Sequence, residues 1–311
     1  MHPTTQGIVL ILLAVMAWGA QLPIASGAMS HIDSTGINLV RYGLSSAVLV
    51  IWMVWTQGRS RLQLGLREPA MWWLGTLGMA GSSTLVFLGI RFTRPEIAVL
   101  VLSLQPAMTA LAEWVMFRKR PAGVTMLCMG VAFGGLSWAV TRGGELFSQG
   151  SAEAAQEILG CTLVLFGAAA WVFYTLGTAR LRSWSALEIT VLTCVTAVPL
   201  LLVVWLLALA TGWALIPSPS AWPQVSWRLA YLALLGVLAA MWCWNTGAPR
   251  LGTLNAILML HFMPVITFVV RAAEGAVLRQ TEILGATLVI AALVANNLWL
   301  RHVQGRTLRR P

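Results

Sequence analysis

Charge is what this chain is short of. Only 10% of its 311 residues are Asp, Glu, Lys or Arg, whereas a water-soluble domain carries roughly 25%. So little polar material cannot coat a soluble surface, which excludes an ordinary globular domain. Lysine is nearly absent: Lys119 is the single one, and the other nineteen basic residues are arginine. The ten acids leave a formal net charge of +10. That excess does not point to nucleic acid, because the arginines sit in short links between apolar runs, where they orient a membrane protein. The four cysteines (Cys128, Cys161, Cys194, Cys243) stand apart inside apolar segments and form neither a CxxC pair nor a metal-ligand spacing, so they read as small core residues. Four scattered histidines make no metal cluster, and no GxSxG, HExxH or phosphate-loop pattern occurs. No enzyme site, cofactor or direct ATP drive is therefore expected. A basic leader is also missing, so residues 7–27 read as a retained membrane helix and not a cleaved signal peptide.

What the chain has instead is 58% hydrophobic residues and a mean hydropathy of +0.79. About 20 apolar residues suffice to cross a bilayer as a helix. Ten such runs occur, near 7–27, 35–56, 70–90, 96–117, 122–141, 158–181, 185–210, 229–248, 254–273 and 282–300. They are solid and not alternating, which favours helices over a barrel. The longest links are 142–157 and 211–228, leaving no room for a soluble domain. With the N-terminus inside, thirteen basic residues fall on the inner side and six on the outer, with Arg41 inside the second run. Both termini are therefore expected in the cytoplasm of a bacterial inner membrane. Thr93-Arg-Pro-Glu96 and Ser185-Ala-Leu-Glu188 both fit the capping-box pattern, in which a hydroxyl and a carboxylate close a helix N-terminus.

The chain repeats itself. Gly7 precedes Trp18 by eleven residues, and Gly160 precedes Trp171 by eleven, an offset of 153. Aligning Pro106 with Pro264 gives 158 and also superimposes Gly89 on Gly247. Five runs per half is an odd number, so the second half is inverted. The expected organisation is a first repeat at 1–141, an outer connection at 142–157, a second repeat at 158–300 and a basic cytoplasmic tail at 301–311. Inverted repeats build many secondary transporters, with the site near the midplane between halves.

These residues resemble the EamA type of the drug/metabolite transporter superfamily. The resemblance lies in Trp18-Gly19 within helix one, Gly247-Ala-Pro-Arg-Leu-Gly252 before helix nine, Pro106 and Pro264 inside helices four and nine, and glycine-led helices at Gly130 and Gly285. It covers residues 7–300. It implies ten helices around a central cavity formed mainly by helices one, three, four, six, eight and nine, with five and ten peripheral. Members of that family export amino acids, other metabolites or toxic compounds. The chain departs from the family at Arg118-Lys119-Arg120-Pro121, which lacks the acid of a Gly-Glu-Arg-type turn, and at Glu274-Gly275-Ala276, where the acid is displaced. Helix one has no acidic residue, so the membrane glutamate of the small multidrug relatives has no counterpart.

Ionisable residues inside a membrane cost roughly 2.5–3.5 kcal/mol at a helix centre and usually face a wet interior. Four qualify: Arg41, Glu113, His261 and Arg271. His261, Pro264, Thr267 and Arg271 share one helical face, and Pro106, Thr109 and Glu113 repeat the layout in helix four. His261 can bind a polar solute, carry a proton or bond a neighbouring backbone. Arg271 can hold a carboxylate or snorkel to the interface, and Glu113 can bind a cation or pair with Arg118 or Lys119. Arg41 can pair with Asp33 or Glu96, or face the cavity as an anion site. Each proline removes a helix bond and is expected to free a carbonyl, of Leu102 and of Leu260. Gln105, Asn245, Trp18, Trp171 and Trp244 are candidate cavity residues; packing or lipid contact is the competing reading for the tryptophans. The expected function is secondary active transport, exporting a small metabolite such as an amino acid by alternating access, with the proton as a candidate coupling ion. A multidrug or toxic-cation exporter is the alternative, and a non-transporting structural or sensory subunit is the alternative from another class. The expected partners are a small-molecule substrate and the bilayer, with the chain a monomer or homodimer.

Overall fold

The computed structural model describes residues 3–118, 120–147 and 151–307. Lys119 and residues 308–311 lie outside the described residues, as do the side chains of Glu113 and of residues 301–307 in the expected tail. Ten long helices follow one another among the described residues: α1 (Pro3–Ala28), α2 (Ser34–Gln57), α3 (Pro69–Gly89), α4 (Pro95–Leu102, then Gln105–Phe117), α5 (Gly123–Val140), α6 (Ser151–Thr178), α7 (Ala186–Ala210), α8 (Pro219–Leu251), α9 (Thr253–Met259, then Phe262–Ala273) and α10 (Gln280–Thr307), with a short helix, Arg59–Leu66, linking α2 to α3. Nine spans among the described residues are long and apolar enough to cross a bilayer, and α10 contributes a shorter apolar stretch, Gln280–Asn296. With ten crossings, both chain ends lie on one side, here called the terminal end. Ile51, Leu127, Phe166 and Leu207 are exposed on the outside of the bundle, an apolar coat that water would not tolerate and acyl chains solvate.

The two halves meet in two close helix crossings. A Cβ on Gly7 of α1 would lie 3.3 Å from the carbonyl oxygen of Gly247 on α8, and one on Gly247 would lie 3.1 Å from that of Gly7. A Cβ on Gly89 of α3 would lie 2.8 Å from the Gly160 oxygen on α6, and one on Gly160 would lie 2.9 Å from that of Gly89. These four glycines are the ones the repeat matches, Gly7 with Gly160 and Gly89 with Gly247. In each case the first helix of one half crosses the third helix of the other, backbone against backbone, as small residues allow in membranes. The first crossing is at the terminal end and the second at the opposite end. The halves are thus joined through each other. A third pair, Gly135 and Gly285, brings α5 onto α10 at the periphery.

Several local expectations need correction. The capping box at Ser185 and Glu188 is present, with Ser185 N–H to Glu188 Oε2 at 2.7 Å and Glu188 N–H to Ser185 Oγ at 3.3 Å. The one at Thr93 and Glu96 is not. Pro95 opens α4, which makes Arg94 the cap and puts Glu96 one place too early. Glu96 turns to Arg271 instead, and Thr93 Oγ donates to Glu157. Helix α6 begins at Ser151 and not near 158, because Glu153 in its first turn suits the helix dipole and pairs with Arg142 at 3.0 Å. The carbonyl of Leu260 is not left free by Pro264: it accepts the N–H of Met263 at 2.9 Å as the chain tightens through the break.

Both third helices carry a wider, π-helical stretch, Leu74–Gly81 in α3 and Tyr231–Ala239 in α8. In α8 this stretch offers carbonyls sideways. Ser45 Oγ of α2 donates to Ala233 O at 2.7 Å, and Trp18 Nε1 of α1 donates to Gly236 O at 2.9 Å. Such turns commonly mark functional positions. Both lie beside the centre of the bundle.

Candidate functional site

A cavity lies at the middle of the bundle, where the two breaks in α4 and α9 face the π-helical stretches of α3 and α8. Its wall includes Leu102 and Gln105 at the first break, Leu260 and Met263 at the second, Trp18 and Gln21 from α1, and Trp171 from α6. It also includes Arg41 and Tyr42 from α2, a helix the resemblance did not assign to the cavity. That contribution decides the electrostatics, because Arg41 is the one formal charge in the lining.

Arg41 is only 3% exposed. Neither acid proposed to neutralise it does so. Asp33 caps α2, accepting from Thr35 N–H at 2.8 Å and Gly36 N–H at 3.0 Å, and it holds Leu215 N–H at 3.1 Å. Glu96 is bound to Arg271. The Arg41 guanidinium instead donates from Nη2 to Gln21 Oε1 at 3.0 Å and lies over Phe87, its carbon 4.4 Å from the ring centroid. A stacked guanidinium is more weakly hydrated than an ammonium and tolerates such a place better. An uncompensated buried charge still costs on the order of several kcal/mol.

Toward the terminal end the cavity is floored by an aromatic cluster. Trp18 meets Trp171 edge-on at 5.1 Å and Trp244 at 5.4 Å, and Trp171 stacks on Tyr174 at 5.0 Å. The Trp18–Gly236 hydrogen bond fixes one ring, and Asn245 fixes the next layer, donating to Tyr174 Oη at 3.0 Å and Thr190 Oγ at 2.8 Å. Beyond the cluster a second, smaller pocket opens, lined by Thr175, Thr178, Trp244, Asn245 and Pro249. The cluster therefore separates two spaces on one axis.

Toward the opposite end, α4 and α9 are clasped. Arg271 Nε donates to Glu96 Oε1 at 2.7 Å and its Nη1 to Glu274 Oε2 at 2.9 Å. Arg94 pairs with Glu282 nearby. Thr267, 0% exposed, donates to the Gly19 carbonyl at 2.6 Å and locks α9 to α1, where a Cβ at Gly19 would sit 2.7 Å from Ile266.

The expected site residues are spread along the axis of the bundle. Trp18, Trp171, Gln105 and Arg41 line the central cavity. Trp244 and Asn245 lie in and below the aromatic floor. His261 caps the second piece of α9 and is buried, while Pro106 and Pro264 are buried in the first turns after the breaks. Thr109 turns back on its own helix, donating to Gln105 O at 2.8 Å. Arg271 stands at the clasp. Gln21, Tyr42 and Phe87 join the lining without being among the expected site residues. Gln21 was within reach of the sequence: it lies three residues after Trp18, on the same helical face, and the 153-residue offset maps it onto Tyr174.

The pattern of the EamA-like transporter family matches residues 5–141 and again residues 158–298. The chain belongs to the EamA-like transporter family. Relatives in Bacillus subtilis (strain 168) agree. The uncharacterized transporter YrdR is 26% identical over 298 residues, covering 95% of this chain and 92% of its own. The uncharacterized transporter YyaM is 27% identical over 281 residues, covering 89% and 88%. The fold agrees with a crystal structure of a protein that shares 18% identity, with a TM-score of 0.66 over 95% of this chain and 98% of the other. This protein is a multi-pass membrane transporter of a small-molecule substrate, and not an enzyme.

Proposed function

We propose that the transporter is a secondary active exporter that moves a small metabolite, such as an amino acid, by alternating access through the central cavity. It sits in a bacterial inner membrane with the terminal end in the cytoplasm, which places the excess of arginine inside. Residues 1–141 and 158–300 form its two working repeats, joined by 142–157 and followed by the basic tail. One observation carries the reading: the cavity is bounded at its two ends by contacts of different kinds, each between the halves. Aromatic rings close the terminal end, and the Glu96–Arg271 pair clasps the opposite end. Breaking one set while keeping the other exposes the cavity to one side at a time. The broken helices α4 and α9 supply the bending points, with His261 at the second as the titratable group on which proton coupling would rest. A cationic drug would suit the tryptophan faces but would meet the Arg41 charge, which favours metabolite over toxic cation.

Proteoliposomes test this. Purified transporter should catalyse counterflow of at least one radiolabelled amino acid, and flux should respond to an imposed pH gradient. A membrane subunit without transport would show no flux of any amino acid or cationic dye, with or without the gradient.

A further inference from the structure

We infer that Arg41 anchors an anion site in the central cavity, and that the ligand is a small organic monocarboxylate with an apolar body. The inference rests on reading this cavity as the transport site. It names the substrate class and the group that recognises it.

Three observations carry it. First, Arg41 is built in without being satisfied. It is nearly fully buried, yet among the described residues no carboxylate lies within ion-pair distance of it. Its Nη2 is held by Gln21, while Nε and Nη1 are buried without a hydrogen-bond partner. A guanidinium is always charged and has only donors to offer. What completes it is an anion with acceptor oxygens, and a carboxylate matches its planar fork.

Second, the charge cannot be borrowed from the fold. The Asp33 carboxylate is committed to the start of α2, and the Glu96 carboxylate to Arg271. Gln21 and the Phe87 face hold the guanidinium in position without neutralising it. Gln21 is thus a positioning residue.

Third, the rest of the wall sets the valence and the body of the ligand. No second basic residue lines the cavity, so a dianion would bring one negative charge too many. Met79, Val86, Leu102, Met241, Leu260 and Met263 present apolar surface on the other sides. An apolar group of modest size fits there, with Ser82 and Gln105 as the polar side chains left for any further substituent, since Ser83 already donates to Asn38. An amino acid with an apolar side chain satisfies this description, and so does a simple aryl or alkyl carboxylate. A free amine does not.

Isothermal titration of the purified, full-length transporter in chloride-free buffer tests the assignment, with four probes that share one body: phenylacetate, its uncharged isostere phenylacetamide, benzylphosphonate and phenethylamine. Phenylacetate should bind at least tenfold tighter than phenylacetamide, with benzylphosphonate weaker and phenethylamine not competing. Arg41→Gln should bring the acid and the amide level, and Arg41→Lys should keep part of the preference. Equal affinity of acid and amide in the wild type, or no binding of phenylacetate, overturns the proposal. Tighter binding of the phosphonate overturns the monocarboxylate assignment. A preference that survives Arg41→Gln removes Arg41 from the site. Should Arg41→Gln fail to fold, the wild-type comparison of acid with amide still decides, and Arg41→Lys locates the charge. Liposome flux separates this from the transport reading. Phenylacetate binding without flux of any solute leaves the anion site and removes transport. Flux of neutral or cationic solutes without carboxylate binding does the reverse.

Discussion

Arg271 and Glu96 meet at 2.7 Å, one on α9 and the other on α4. The two helices belong to opposite halves, and their breaks are the repeat-related features beside the cavity. Glu96 is 3% exposed, while the Arg271 side chain keeps 27% of its surface accessible. The pair therefore works between a dry partner and a wet one, where removing either side costs roughly 1–3 kcal/mol after allowance for solvent.

Weakening that pair should bias the transporter open at the opposite end. Glu96→Gln is expected to reduce counterflow several-fold and to raise labelling of a cysteine placed at Gln105 by an impermeant thiol reagent added from that side, in a background where the four native cysteines are serine. The exchange Glu96→Arg with Arg271→Glu should recover part of the flux. Unchanged labelling in Glu96→Gln would remove the clasp from the cycle.

The aromatic floor should act as the seal at the terminal end. Trp171→Ala removes the ring that touches Trp18, Trp244 and Tyr174. Liposomes carrying it are expected to leak a preloaded substrate several times faster than wild type with no gradient applied. Trp18→Phe keeps one ring while losing the bond to Gly236, worth about 1 kcal/mol, and part of the contact with Trp171 and Trp244, so it should lower the melting temperature and leak less than Trp171→Ala. Equal tightness of Trp171→Ala and wild type would argue that the barrier lies elsewhere.

At the crossings, size alone should decide stability. Gly89→Val and Gly160→Val drive a side chain into a backbone carbonyl less than 3 Å from the first added carbon. Gly130→Val is the control, since nothing lies within 4 Å of a Cβ there. The first two should lose several degrees in a detergent melting assay, corresponding to about 1–3 kcal/mol of overpacking, and the third should not. A melt of Gly89→Val that matches Gly130→Val would contradict the close approach.

His261→Ala is expected to express and melt near wild type while flux falls by about tenfold, because the residue sits at the bend of α9 rather than in a lipid-facing wall. Counterflow and gradient-driven flux should be measured together. Loss of the gradient-driven part alone would assign His261 to the proton, loss of both to the bend or the solute, and full retention of both would take it out of the mechanism.

Much of this architecture was legible in the residues. Solid apolar runs dictate the crossings, and the offsets that match Gly7 with Gly160 and Gly89 with Gly247 mark contacts that join the halves. Helix starts were less legible, because capping spacing competes with stronger neighbours. Pro95 moves the cap to Arg94, and Glu96 leaves its own helix for a partner 175 residues away. The same difficulty hid the cavity. Arg41 could have been neutralised by Asp33 or Glu96, and only the fold reveals that both acids are engaged elsewhere. Tyr42 and Phe87 carry no sequence signal that separates a cavity wall from lipid-facing packing. Gln21 did, through its spacing from Trp18.

The two glycine crossings also bear on how the chain is made. Helices α1 and α3 leave the ribosome with the first half, but the surfaces their glycines press against are on α8 and α6. A nascent chain that has completed α5 therefore holds two notched faces with no mate, and each closes only when a helix of the later half arrives. Neither half carries its own full set of neighbours, so the cavity between them comes into being only after synthesis has passed Gly247 and supplied Leu260 and Met263.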